Sequence, residues 1–143
     1  MKKRGLRQSA IRRIVREENV RTQRDLVERL SAQGFICTQA TVSRDVTEMG
    51  LSKLPDGVYV LAEDLHLHRM ISELVVSVVR SGPLVLVKST PGTAQGVAAA
   101  LDGAGLDGVL GSIAGDDTVL IITGGAESAA TLHDTIEKLR GKH

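Results

Sequence analysis

The chain sorts its charge by position. Up to Val60 it carries twelve Lys and Arg against seven Asp and Glu, a net of +5, whereas the remainder carries six against ten, a net of −4. The overall charge of +1 conceals this division. The two aromatic residues, Phe35 and Tyr59, both fall in the basic part, so whatever folds after Tyr59 must build its core from Leu, Val, Ile and Ala. Such a sequence is expected to form two small modules with different partners, separated by a compositional break near Leu61. With 42% apolar and 24% charged residues in a length of 143, buried cores are feasible and wholesale disorder is excluded. No apolar run approaches the ~20 residues needed to cross a bilayer. The basic opening is not followed by an apolar signal core. A single cysteine, Cys37, excludes an internal disulfide and a multi-cysteine zinc site. The composition points to a soluble cytoplasmic protein.

In the basic part, Ile11, Ile14 and Val15 mark one face of a helix from about Gln8 to Glu18. Thr22 can cap a second helix with Leu26, Val27 and Leu30 inward, ending near Gly34. Thr38 can cap a third with Val42, Val46 and Met49 inward, closed by Gly50. The short turn between these two is expected to pack Phe35 and Ile36 inward, with Cys37 as a small buried thiol. Leu51–Leu54 and Val58–Leu61, joined by Pro55-Asp56-Gly57, carry a hairpin signal.

Three helices and a hairpin make the winged helix-turn-helix plan, in which the third helix enters the major groove of DNA. With its apolar side on the core, that helix leaves Gln39, Thr41, Ser43 and Arg44 outward near its N-terminal end. Arg44 can pair with a guanine edge and Gln39 with an adenine edge, while the two hydroxyls can reach bases or phosphates. Lys2, Lys3, Arg4 and Arg7 would add salt-sensitive attraction to phosphates. Asp45 and Glu48 on the same helix count against a uniformly basic reader, and Asp45 can orient Arg44 or a neighbouring arginine. Periodicity and charge alone leave a helical bundle without a nucleic acid partner as an equal alternative.

The acidic part reads as an α-β-α-β-β-α sequence. A helix is expected from Leu65 to Val79, a strand at Leu84–Val87, an alanine-rich helix from Thr93 to Leu101, strands at Val109–Ile113 and Thr118–Ile122, and a last helix from about Glu127 to Leu139. A small sheet backed by helices makes an α+β layer fold. A core this modest gains from association, and Ala98-Ala99-Ala100 permits close packing, so oligomerisation is expected.

Two features can hold a small ligand. Thr90-Pro91-Gly92-Thr93-Ala94 leads into a helix whose free N–H groups favour a carboxylate. Asp116 and Asp117 sit side by side between two strands, where a guanidinium is a good compensating cation. Both also read as ordinary connections. Acid–base catalysis by the two aspartates lacks a nucleophile or a metal set, so no enzyme is expected. His66 and His68, two apart, make a poor metal pair, and His133 and His143 have no obvious partners. Gly124-Gly125 lacks the Lys-Ser/Thr of a phosphate loop.

The string Thr38-Gln39-Ala40-Thr41-Val42-Ser43-Arg44-Asp45 resembles the recognition helix of the bacterial arginine repressor family, and Thr22-Gln23-Arg24-Asp25-Leu26 resembles the opening of its second helix. The resemblance continues through Pro91-Gly92-Thr93-Ala94-Gln95, Leu101-Asp102 and Leu110-Gly111-Ser112-Ile113-Ala114-Gly115-Asp116-Asp117-Thr118. It implies a winged-helix DNA-binding domain over 1–62, a linker and the start of the first sensor helix over 63–69, and an oligomerisation and arginine-binding domain over 70–143. It implies a repressor of arginine biosynthesis genes, able to activate catabolic ones, that binds palindromic operators as a hexamer of two trimers. L-arginine would be its corepressor, with no other cofactor and no metal. The family's arginine contacts fall on Gln95, Asp102 and Asp116, with Asp117 beside them and Ala94 contributing backbone. An architectural accessory to recombination, or a paralogue with altered ligand response, are the alternatives. Lys88 replaces another polar residue of some relatives, and the wing at Leu54–Val58 is short.

Overall fold

The computed structural model describes residues 2–141, so His143 and the side chain of Lys2 lie outside the described residues. The chain divides into two compact units, Met1–Ala62 and Glu63–His143.

The first unit is a three-helix cluster with a two-stranded wing. Helix α1 (Lys2–Glu17) starts a full turn and a half before the sequence expectation, because the good helix formers Lys3, Arg4, Leu6 and Arg7 outweigh the single Gly5 among them. Helix α2 (Gln23–Ala32) starts at Thr22, whose hydroxyl accepts the Asp25 N–H at 3.0 Å. Helix α3 (Gln39–Met49) starts at Thr38, which accepts the Thr41 N–H at 3.2 Å, and stops at Gly50 in the left-handed conformation (φ 67°). These caps satisfy amides and carbonyls that a helix end leaves orphaned. The wing pairs β1 (Leu51–Lys53) with β2 (Tyr59–Leu61) in antiparallel register. Tyr59 N–H reaches the Val20 carbonyl at 2.8 Å, which ties the wing to the loop after α1. Ile11, Ile14, Leu26, Leu30 and Val42 form the centre of the core, with Phe35, Cys37, Val46 and Met49 half-buried around it.

Ile36 departs from expectation. It is 85% exposed rather than packed inward. Phe35 already fills the space at this corner, and its N–H is fixed to the Leu30 carbonyl at 2.8 Å, so the next side chain is carried away from the core.

In the second unit, helix α4 (Leu65–Leu74) gives way to strand β3 (Val75–Ser81), where the sequence pattern predicts uninterrupted helix to Val79. The reason is a register shift between Val75 and Ser77. A bulge inserts one residue, so Val75 and Val78 face the same side although three positions apart, and the strand counterfeits a helical spacing. Gly82, at φ 55°, and Pro83 then turn β3 back into β4 (Leu84–Ser89). Helix α5 (Ala94–Ala104), β5 (Val109–Ala114), β6 (Thr118–Thr123) and α6 (Ala126–Arg140) follow. The four strands form one antiparallel sheet ordered β3-β4-β6-β5. Val78, Val85, Val87, Val119 and Ile121 are buried under the helices, against side chains such as Ile71, Val97, Leu132 and Ile136. The fold is α+β, an antiparallel sheet with its helices on one face.

The opposite face of that sheet is bare. Val79, Leu86, Leu120 and Ile113 stand directly opposite one another across all four strands. Val79 and Ile113 are 54% and 68% exposed. No helix among the described residues is long and apolar enough to cross a membrane.

Burial separates two side chains of similar size in the first unit. Leu30→Ala should cost about 2–5 kcal/mol in urea denaturation, whereas Ile36→Ser should change stability by less than about 0.5 kcal/mol.

Candidate functional site

Two surfaces bring together the residues singled out in the sequence. The first is the outer side of α3. Gln39 and Arg44 are exposed, and Thr41 and Ser43 are half-buried. The Thr41 hydroxyl lies 3.1 Å from that of Thr38, so part of its hydrogen-bonding capacity is used in the cap. Among the described residues Arg44 has no ion-pair partner.

The acids of α3 are turned the other way. Asp45 is only 1% exposed and accepts two hydrogen bonds from the Arg7 guanidinium and one from the Gln8 amide at 3.0 Å. Glu48 accepts from Arg4 and, at 3.0 Å, from Gln8. Both carboxylates are thereby neutralised by α1, which leaves Arg44 as the charge on the outward face. The same geometry corrects the expectation for Arg7. Its side chain is 17% exposed and committed to Asp45, so it is not a free member of the basic cluster. Burial pushes the Asp45 carboxyl up, but the hydrogen bonds from Arg7 and Gln8 outweigh it and leave its pKa below the ordinary carboxylate value.

The second surface is a hollow in the other unit, built by the turn between β5 and β6. Gly115 N–H closes that turn on the Thr118 carbonyl at 2.9 Å. The Asp116 carbonyl accepts the Ala94 N–H at 3.1 Å, and the Asp117 carbonyl accepts the Ser89 N–H at 2.8 Å. The turn is thus stitched to the start of α5 and the end of β4. Gly92, Gln95, Gly115 and Asp116 line the resulting open hollow. Thr93, at the cap of α5, gives its hydroxyl to the Thr90 carbonyl at 2.7 Å and makes no side-chain bond to the helix. With the Ala94 N–H committed to Asp116, the amides of Gln95 and Gly96 keep their attraction for an anion.

The two adjacent aspartates have different surroundings. Thr118 donates to the Asp117 carboxylate at 2.8 Å, and the Lys88 ammonium lies 3.7 Å away. The Thr118 hydrogen bond, followed by the Lys88 charge, holds the Asp117 carboxyl below its ordinary value. Lys88 also donates to Thr118 at 2.8 Å. Asp116 is exposed and lines the hollow with Gln95. Ala94 is fully buried and offers only its backbone. Asp102 stands apart. It accepts a 3.3 Å hydrogen bond from Ser112 and borders a different, small hollow with Leu106 and Val109. Within one chain the structure brings Gln95 to Asp116 but not Asp102 to either. Among the described residues no three His, Cys, Asp or Glu side chains group to hold a metal ion.

Sequence reasoning missed the Arg7 partner of Asp45 and the outward positions Ala40 and Thr47 of α3. The second pair was legible, since both lie three or four residues from Ser43 and Arg44.

Fold and surfaces define a class: a winged helix-turn-helix unit followed by a small α+β unit with a turn-anchored polar hollow. The chain belongs to the arginine repressor family. Residues 1–67 match the family model "Arginine repressor, DNA binding domain", and residues 71–138 match "Arginine repressor, C-terminal domain". It is 41% identical to the arginine repressor of Symbiobacterium thermophilum over 94% of this chain and 95% of that protein. It is 44% identical to that of Thermus thermophilus over 90% of this chain and 85% of that protein. The arginine repressor of Halothermothrix orenii is 37% identical over 88% and 91%.

Asp45→Asn should leave the half-buried Arg7 uncompensated and destabilise the protein by roughly 1–3 kcal/mol in denaturant titrations. Because the native pKa of Asp45 is lowered, its stabilisation is present above the unfolded carboxylate pKa, about 3.9, and is lost as pH falls through the lower native value. The stability difference between the parent and Asp45→Asn should therefore narrow in acid.

Proposed function

We propose that this chain is an arginine-responsive transcriptional repressor that binds palindromic operators of arginine biosynthesis genes as a hexamer, with L-arginine as corepressor. The hollow lined by Gln95 and Asp116 carries the reading. The exposed residue Asp116 lines it, as does Gln95 from the first turn of α5, a helix start that no side chain caps. A ligand with a carboxylate at one end and a guanidinium at the other suits both. Asp117, held by Thr118 and Lys88, supports the turn and keeps Asp116 as the acceptor for the cationic end. Asp102 lies in another hollow of the same chain, which supports a site completed by a second copy: Asp102 of one protomer would meet Gln95 and Asp116 of another. The bare apolar row Val79–Leu86–Leu120–Ile113 supports association, because a monomer rarely leaves a continuous sheet face of this kind uncovered.

Arginine at such a seam binds the hexamer in preference to separate trimers. By linkage it favours the species that engages several operator half-sites at once. On the DNA side, Gln39, Ser43 and Arg44 read base edges, and Thr41 supports the helix start while reaching the backbone. The short wing adds Lys53, which sits 5.0 Å from the centre of the Tyr59 ring.

Asp116→Asn should weaken L-arginine binding in calorimetry by about tenfold or more, as expected for loss of a charge-assisted hydrogen bond. Normal binding by that variant would refute the site. Arg44→Ala should cost about 1–3 kcal/mol of operator affinity and relax one base preference while leaving the sedimenting mass unchanged. The parent's operator affinity should fall steeply as salt rises.

A further inference from the structure

The outward side of α3 carries aliphatic carbon as well as the polar groups already described. Ala40, Ser43, Arg44 and Thr47 recur at spacings of three and four and share one helix face. Ala40, Arg44 and Thr47 are exposed. Thr47 gives its hydroxyl proton to the Ser43 carbonyl at 3.2 Å, so it has no donor left for a base. In the turn leading into the helix, three residues before Gln39, Ile36 is 85% exposed. An isoleucine left this bare contributes no burial to the folded protein.

We propose that Ile36 and Ala40 read thymine, by apolar contact with its C5-methyl group in the major groove, beside the base contact of Arg44. The inference rests on the assignment of α3 as the DNA-reading helix and names a second thing that it reads. The methyl group is displayed in the major groove by thymine alone, so an aliphatic contact there separates thymine from the other three bases. The charge arrangement favours this occupant. Asp45 and Glu48 are paired with Arg7, Gln8 and Arg4, which leaves Arg44 as the one charged side chain of α3 on the face it shares with Ala40, in a helix that follows the exposed Ile36. That suits a groove with phosphate walls and methyl groups on its floor. A protein partner is the poorer fit, since one isoleucine and one alanine cannot supply the roughly 1,200 Å² of a stable interface.

The test uses the full chain and a duplex that it has enriched from a random-sequence pool. The duplex is resynthesised with uracil in place of thymine at one position at a time, and affinity is measured at fixed salt. Removing a read methyl should weaken binding about fourfold, the worth of one buried methyl group, at one or two thymines in each half-site. Ile36→Ser should abolish the penalty at one of these positions and Ala40→Ser at another. Both residues are exposed, so the variants should fold as the parent does, with unchanged circular dichroism. Uracil tolerated at every position overturns the proposal and leaves the DNA-reading assignment of α3 standing. A uracil penalty undiminished in both variants also overturns it, because the methyl groups are then read from elsewhere. An enriched pool with no shared sequence overturns both the proposal and the assignment on which it rests.

Discussion

The carbonyl oxygens of two adjacent aspartates hold the second unit's polar hollow together. Asp116 accepts the Ala94 N–H and Asp117 accepts the Ser89 N–H, so one turn is bonded to both the head of a helix and the tail of a strand. Each bond is worth only about 1 kcal/mol net. Their importance is positional, because they leave the Asp116 carboxylate beside Gln95 while the main chain beneath it is fixed. Lys88 and Thr118 then distinguish the neighbours by engaging the carboxylate of Asp117. Two identical side chains in sequence thus acquire different roles, one supporting the turn and one facing outward.

A comparable device operates in the winged-helix unit. Asp45 is a buried carboxylate on the helix assigned to DNA, an unfavourable choice unless it is paired. Arg7 and Gln8 supply the pairing, and with Glu48 and Arg4 they bind α1 to the inner side of α3. The result is a helix whose acids are engaged by α1, Asp45 buried and Glu48 exposed, and whose one arginine, Arg44, has no ion-pair partner among the described residues. In both units a carboxylate whose charge could oppose a ligand is satisfied internally, and the groups that remain exposed are those with chemistry to offer.

Much of this was legible in residue order. Thr22, Thr38 and Gly50 mark helix ends because their local chemistry acts within four residues of chain, and the period of Val42, Val46 and Met49 gives the inner side of α3 directly. Asp116 stood out as one of two adjacent acids between strands, whereas Gln95 entered only through the resemblance to the arginine repressor family. What the sequence hid depends on partners distant in the chain. Arg7 and Asp45 are 38 residues apart, and nothing local announces their pairing. The Val75–Val78 spacing reads as helix, and only pairing with β4 reveals a bulged strand. Ile36 reads as core by hydrophobicity, yet its neighbour Phe35 occupies the available space. Asp102 and Asp116 share a motif family but not a hollow, a separation that spacing does not encode.

The central claim is that L-arginine engages the start of α5 and the turn that is bonded to it. Amide hydrogen exchange of the full chain, followed with and without L-arginine, tests this most directly. The account predicts slower exchange at Ala94, Gln95 and the 115–118 turn when arginine is added, and no slowing with an equal concentration of L-alanine, which lacks the cationic tail. Exchange at these amides that is indifferent to arginine, at concentrations that saturate any binding seen by calorimetry, would contradict it.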